Sequence, residues 1–254
     1  MPISKNKLKW IHSLSLKKHR DAENCFLAEG PKTVEDLADN FRLRCVLATD
    51  RYLESAKRLN AEEVVEVSQQ ELEKASLQKT PHDCLAVFEK PQGFSEADFS
   101  IEDTLVLALD GIQDPGNLGT IIRLADWFGI AHIYCSMECA DAFSPKTVQA
   151  TMGALGRVAC HYVDLPRWIK MLPQTIPVYG TFLEGEDIYC KDLRSGGLLV
   201  MGNEGKGISP AIEALVTERL FVPNYPLNRA TSESLNVAVA TSIACAEFRR
   251  QMRQ

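Results

Sequence analysis

Three segments of this 254-residue chain collect glycine, asparagine, acidic and hydroxyl side chains directly after apolar runs. Residues 110–119 read DGIQDPGNLG and hold Asn117, with Arg123 one turn further on. Residues 202–209 read GNEGKGIS and set Glu204 between Gly202 and Gly205. The third segment begins at Val222 and Pro223 and ends in Ser234, Leu235 and Asn236. Glycines in such loops permit tight turns and close approach of a ligand to backbone. The first segment carries only G-x-x-G, short of the dinucleotide fingerprint, which weakens a nicotinamide-dependent dehydrogenase as an alternative. The second is no Walker A loop, because Lys206 precedes Gly207 rather than a Ser or Thr, and Glu204 would repel phosphate. A Gly-Asn-Glu-Gly turn suits a ligand with a positive centre or hydrogen-bond donors. In the third, Ser232 or Ser234 can cap a largely apolar helix at 235–248, and Asn236 in its first turn is a polar group that needs partners.

These segments must be held by the elements around them. Apolar runs at 104–109, 131–135, 176–180, 198–201 and 219–222 predict strands, and their continuity predicts a parallel sheet covered on both faces. Leu118, Ile121, Ile122, Ala125 and Phe128 form a helical stripe, and Arg123 lies off it. Ligands of open α/β sheets bind at the carboxyl ends of the strands, where all three segments fall. A polar stretch at 90–103 with Pro91 and Gly93 marks a soft boundary. Before it, runs at 45–48, 64–67 and 85–88 alternate with helical patterns at 32–40 and 69–77. The expectation is an α/β chain with a small domain at 1–95 and a larger one at 104–254.

Composition is that of an ordinary globular protein, 45% hydrophobic and 24% charged. No stretch approaches the roughly 18 apolar residues of a membrane span, and the N-terminus lacks the apolar core of a secretory signal, so a cytoplasmic location is expected. Eight scattered cysteines show no complete zinc pattern and read as reduced, mostly buried thiols; no metal is expected. Residues 1–20 hold six cations and no acid, against a net charge of −6 for the chain. A basic arm on an acidic body suits a phosphate backbone touched at one place, or equally a solvated helix face.

Taken together and in order, the segments resemble the SpoU (TrmH) branch of the SPOUT RNA methyltransferases. Its first motif is similar to residues 110–123, its second to 199–209, and its third to 222–240 with the Ser234–Leu235–Asn236–Val237 core. More loosely, residues 143–156 resemble the stretch between the first two motifs. Asn6, Lys9, Lys18, Arg20 and residues 26–30 (FLAEG) resemble the L30e-like substrate-binding domain found in many members. The resemblance covers most of the chain.

It implies a parallel-sheet SPOUT domain closed by a deep trefoil knot, preceded by a small α/β L30e-like domain. It implies a homodimer joined through the C-terminal domain. It implies that S-adenosylmethionine is held by Thr181, Gly202, Gly205, Val222 and Leu235. Asn117, Arg123, Glu204, Ser234 and Asn236 become the catalytic set, and Lys5, Lys9, Lys18 and Arg20 the RNA contacts. The expected reaction is methyl transfer to a ribose 2′-hydroxyl, on ribosomal RNA somewhat more than transfer RNA. Arginine stays protonated at ordinary pH, so Arg123 is expected to position phosphate and favour a developing alkoxide; the proton acceptor stays open. The alternative is a catalytically silent RNA-binding protein of the same fold. Two departures stand out: a long stretch at 224–233 that adds Arg229 and lacks the usual glycine, and His82-Asp83 where relatives often carry Gln-Gly.

Overall fold

The computed structural model describes residues 3–91, 101–226 and 234–252. Contacts divide the chain into two units, Met1–Gly93 with Asp141–Arg157 and Phe94–Ala140 with Val158–Gln254. A division by chain order alone, at 1–95 and 104–254, thus leaves out that residues 141–157 pack with the first unit.

The first unit carries a four-stranded sheet of β1 (Cys25–Glu29), β2 (Leu43–Ala48), β3 (Glu63–Glu66) and β4 (Cys84–Glu89), ordered β1-β4-β2-β3. β4 runs antiparallel to both neighbours, and β2 and β3 are parallel. Around it lie α1 (Lys5–Ser13), α2 (Lys17–Glu23), α3 (Pro31–Ala38), α4 (Asp50–Ala56) and α5 (Gln69–Ala75). α5 starts where Ser68 and Glu71 close a capping box, each satisfying the other's free backbone N–H. Ile11, Leu14, Leu27, Leu47, Leu72 and Leu85 fill one core. β1 was not among the expected strands, although all five of its residues are buried.

The second unit holds β5 (Leu105–Asp110), β6 (His132–Ser136), β7 (Ala159–Val163), β8 (Val178–Phe182), β9 (Glu186–Asp187), β10 (Gly197–Gly202) and β11 (Glu218–Phe221). Among the described residues they make one seven-stranded sheet, ordered β7-β6-β5-β10-β8-β11-β9, every pair parallel. From β5 the chain steps outward through β6 and β7, and the remaining strands lie on its other side. The order therefore switches between β5 and β10, which opens a crevice at their carboxyl ends. The later helices are α6 (Pro115–Trp127), α7 (Pro145–Thr151), α8 (Leu165–Met171), α9 (Pro210–Glu213) and α10 (Val237–Gln251), of which α7 belongs to the first unit. α6 turns Leu118, Ile121, Ile122 and Ala125 inward, the stripe its spacing requires. α10 packs against α6 and β10, and its Phe248 meets Tyr179 edge-on at 5.0 Å.

In the first unit the 141–157 segment is tied down by apolar and ionic contacts. Phe143 packs on Phe26 and Phe41 at 5.0 and 6.4 Å between ring centres. Arg20, 2% exposed, grips the Asp141 carboxylate at 2.6 Å and donates to the carbonyls of Leu14 and Ser15.

In the second unit, Nδ1 of His132 and Nε2 of His161 lie 3.1 Å apart, and Tyr134 stacks between His161 and Trp168. Burial pushes both imidazoles below their usual value, His161 to about 4, with the His132 charge adding to the effect. The unfolded chain then binds more protons than the folded one between about pH 4 and 6.5. Stability is full above that window and is lost as pH falls through it. Tm measured from pH 7 to 5 is expected to fall, and to fall less in His161→Phe. Asp141→Ala should cost about 3–5 kcal/mol in denaturant unfolding, because it strands a buried guanidinium.

Candidate active site

The sheet register begins the site. Gly202 at the end of β10 lies opposite Asp110 at the end of β5, so both loops leave the sheet side by side at the switch point. Buried Asp110 turns its Oδ2 to the backbone N–H of Ser209 at 2.7 Å, which joins the two loops at their base.

The first loop is shorter than its glycines suggest. Gly111 takes the left-handed region at φ +71°, whereas Gly116 and Gly119 lie inside α6. Asp114 caps the helix, its Oδ1 accepting from the N–H of Asn117 at 2.9 Å, and Pro115 follows at the first helical position. Asn117 therefore stands in the first turn of a helix rather than in a loop.

The second loop is a tight turn. Asn203 and Gly207 exchange two backbone hydrogen bonds of 2.9 Å. The Asn203 side-chain oxygen accepts from the N–H groups of Gly205 and Lys206, both at 3.0 Å, and its amide donates to the Gly111 carbonyl at 2.6 Å. A Cβ at Gly202 would fall 2.3 Å from the backbone of Gly207 and Ile208, so this turn folds back only over glycine.

The third segment corrects the expected cap. Ser234 is exposed and Asn236 is the N-cap of α10, accepting from the N–H groups of Ala238 at 2.9 Å and Val239 at 3.3 Å. Ser232 and Arg229 lie outside the described residues. The other end of the Asn236 amide donates to Oδ1 of Asn117 at 3.0 Å, and Nδ2 of Asn117 donates to Oε1 of Glu204 at 3.0 Å. Three segments far apart in sequence thus meet through one chain of side chains, Asn236 to Asn117 to Glu204.

Other expected residues gather beside it. Thr181 lies within β8, paired with Leu220, rather than after the strand; its hydroxyl donates to the Met201 sulfur at 3.7 Å. Val222 directly follows β11. Thr181, Gly202 and Val222, all half-buried, therefore sit at the ends of three adjacent strands, with Leu235 49% exposed and Gly205 open on its turn. Half-buried groups at the strand ends, with an exposed carboxylate at Glu204, fit a flat ring attached to a cationic, hydrogen-bonding tail. Arg123 stands apart. It is exposed, six residues beyond Asn117 on α6 and so on another face, and its guanidinium bonds to none of the other described residues. A polar cleft of ≈ 570 Å³ lined by Thr175, Lys191, Arg194 and Glu218 opens at the opposite, amino ends of β8 and β11 and holds none of these groups.

Of the expected RNA contacts, Lys5, Lys9 and Lys18 are exposed on α1 and α2. Arg20 is not available: burial and its bonds to Asp141, Leu14 and Ser15 use its donors inside the first unit. Asp110, Asp114 and Asn203 were missed by sequence reasoning. An acid directly before proline is a helix-start signature, so Asp114 was findable; Asn203 has no such mark.

The family described as SpoU rRNA methylase matches residues 104–246, and the one described as MRM3-like substrate binding domain matches 5–86. A Bacillus subtilis 23S rRNA (guanosine(2553)-2′-O)-methyltransferase is 31% identical over 240 residues, covering 93% of either protein. A Porphyromonas gingivalis structure assigned to the TrmH family of RNA methyltransferases superposes with a TM-score of 0.86 at 41% identity, covering 98% of this chain and 99% of that one. An AdoMet-bound rRNA methyltransferase from Sinorhizobium meliloti also gives 0.86, at 30% identity over 98% and 95% of the two chains. Gly202→Ala is expected to destabilise the fold by about 1–3 kcal/mol in denaturant unfolding, the cost of forcing a methyl group against backbone.

Proposed function

The chain belongs to the SpoU rRNA methylase family, and we propose that it transfers a methyl group from S-adenosylmethionine to the 2′-hydroxyl of a ribose in ribosomal RNA. The observation that carries this reading is the Asn236–Asn117–Glu204 chain, which unites all three motifs at the switch point of the sheet. A catalytically silent RNA-binding protein would have no need to keep that network whole.

S-adenosylmethionine supplies a methyl group already activated by its sulfonium. Thr181, Gly202, Gly205, Val222 and Leu235 hold it through backbone and apolar contact. Glu204 favours the cationic centre, and Asn117 holds that carboxylate in place. Asn236 fixes the start of α10 beside it, and Ser234, exposed two residues earlier, helps to build the site. The protein's task is to align the ribose oxygen with the methyl group and to ease the loss of one proton. Arg123 does so by holding phosphate near the ribose and stabilising the developing alkoxide.

The active protein is a homodimer joined through the unit that carries α6 and α10. Trp127, 84% exposed on α6, and Val239, 49% exposed on α10, are apolar side chains suited to that contact. Arg123 precedes Trp127 by one helical turn, so dimerisation would direct it to the second copy's site. The third motif is threaded as a deep trefoil knot, a reading supported by its return alongside the loops after β5 and β10. The first unit binds RNA through Lys5, Lys9 and Lys18. Ribosomal RNA is favoured over transfer RNA because relatives sharing both units are named for it. Among the described residues no helix is long and apolar enough to cross a membrane, and a ribosomal substrate suits the cytoplasm.

Labelled S-adenosylmethionine and total RNA from a source lacking this protein test the reading. Wild type should label ribose 2′-oxygen, and Arg123→Ala should lose about 10²–10³-fold in rate. Label on a base would overturn the acceptor, and no label with no cofactor binding would overturn the reaction. Changing Lys5, Lys9 or Lys18 to Gln should each lower the salt slope of RNA binding by about 0.7, whereas Arg20→Gln should leave the slope unchanged.

A further inference from the structure

The loop that turns β5 into α6 is braced from behind by a turn at the end of β6. The N–H of Gly111 donates to Oγ of Ser136 at 3.0 Å, and the N–H of Ile112 donates to Sγ of Cys139 at 3.3 Å. The Cys139 thiol in turn donates to the Leu109 carbonyl at 3.2 Å, and the N–H of Ala140 donates to the Ile112 carbonyl at 2.8 Å. Ser136 is 4% exposed, Cys139 9% and Ile112 0%, so at Ile112 water does not replace the thiol, while Gly111 is half-buried. The turn itself is closed by the Cys139 N–H on the Ser136 carbonyl, and the Tyr162 hydroxyl donates to the Ala140 carbonyl.

We infer that Ser136 and Cys139 are positioning residues for methyl transfer, which hold the residue 109–112 backbone so that Asn117 meets Glu204 and Asn236. The inference rests on the methyltransferase reading above. The Gly111 carbonyl accepts from Asn203 on the far side of the loop, while the Gly111 and Ile112 N–H groups face the β6 turn. The loop is therefore clamped between two side-chain sets, one on the Glu204 turn and one on the β6 turn. Only the first was visible as a motif. Removing Cys139 leaves the buried Ile112 N–H without a partner, and removing Ser136 takes the side-chain acceptor from the half-buried Gly111 N–H; the loop relieves either loss by moving. Three residues later begins the helix on which Asn117 stands, so a shift at Ile112 carries directly to it. Ser136 Oγ and Cys139 Sγ lie 3.7 Å apart, so the two side chains brace each other as well as the loop.

The test uses the full-length protein and compares Ser136→Ala, Cys139→Ala and Cys139→Ser with wild type, reading kcat, KM for S-adenosylmethionine and Tm. Each alanine variant should lose about tenfold or more in kcat, with KM within about twofold, because misplacement by a fraction of an ångström acts on the reacting geometry. Cys139→Ser keeps a donor and an acceptor and should recover most of that loss. Amide exchange at Gly111 and Ile112 should quicken in the alanine variants and not in Cys139→Ser. Should Cys139→Ala fail to fold, Ser136→Ala carries the test, since it removes a single oxygen. Alanine variants with kcat within twofold of wild type would overturn this inference alone. So would a kcat loss that serine does not restore, or one that only follows Tm. Absence of methyl transfer by the wild type itself would overturn the parent reading and this one together.

Discussion

One side-chain amide holds the site together. Asn117 gives a hydrogen to Glu204 and accepts one from Asn236, and an amide is the smallest group that can do both in fixed directions. Aspartate at that position would offer no donor to the Glu204 carboxylate, and an apolar residue would offer nothing to either side. Glutamine would carry the same group one carbon too far. The segments around it are shaped to this demand. Asp114 starts α6 early enough to put residue 117 in its first turn. The Asn203–Gly207 turn presents residue 204, and the cap at Asn236 spends its oxygen on the helix so that its nitrogen is left for Asn117.

These bonds are mostly open to solvent, and each contributes only about 0.5–1.5 kcal/mol net. They cannot be what makes the chain fold. Stability comes from beneath, where Leu107, Ala108, Leu109, Leu198, Leu199 and Val200 are at 0–1% exposure in the central strands. The division of labour is physical: a dry, close-packed sheet supplies rigidity, and the polar network at its rim supplies direction. The buried Asp110 connects the two, since it stands at the end of an apolar strand and holds the start of the second loop.

The sheet was legible because strands buried on both faces are written as unbroken apolar runs, as in β5 and β10. The helical stripe of α6 was equally plain. What sequence could not give was register. Asp110 and Gly202 are 92 positions apart, and only the pairing of parallel strands makes them neighbours. Local chemistry misled in three places. A glycine-rich DPGN run looked like loop, although proline after an acid begins a helix. Ser234 looked like the cap, although Asn236, two residues on, has the reach to cap and still bridge. Arg20 counted as a free cation by composition, because charge is visible in sequence and burial is not. β1 and β7 escaped notice because neither has the long apolar run of β5, and the contact of residues 141–157 with the first unit leaves no trace in the order of the chain.

That last feature bears on how such a protein can be taken apart or assembled by descent. The polypeptide passes from one unit to the other three times, after Gly93, Ala140 and Arg157. A stop at the polar stretch near residue 95 would yield a fragment whose Arg20 lacks Asp141 and whose Phe26 lacks Phe143. The two halves therefore do not behave as beads on a string that gene fusion could exchange at one joint. Any graft of a different first unit onto the second must bring its own version of the strap between residues 141 and 157. Insertions that lengthen the polar joint are free of that condition, so variation in spacing should be tolerated where wholesale exchange is not.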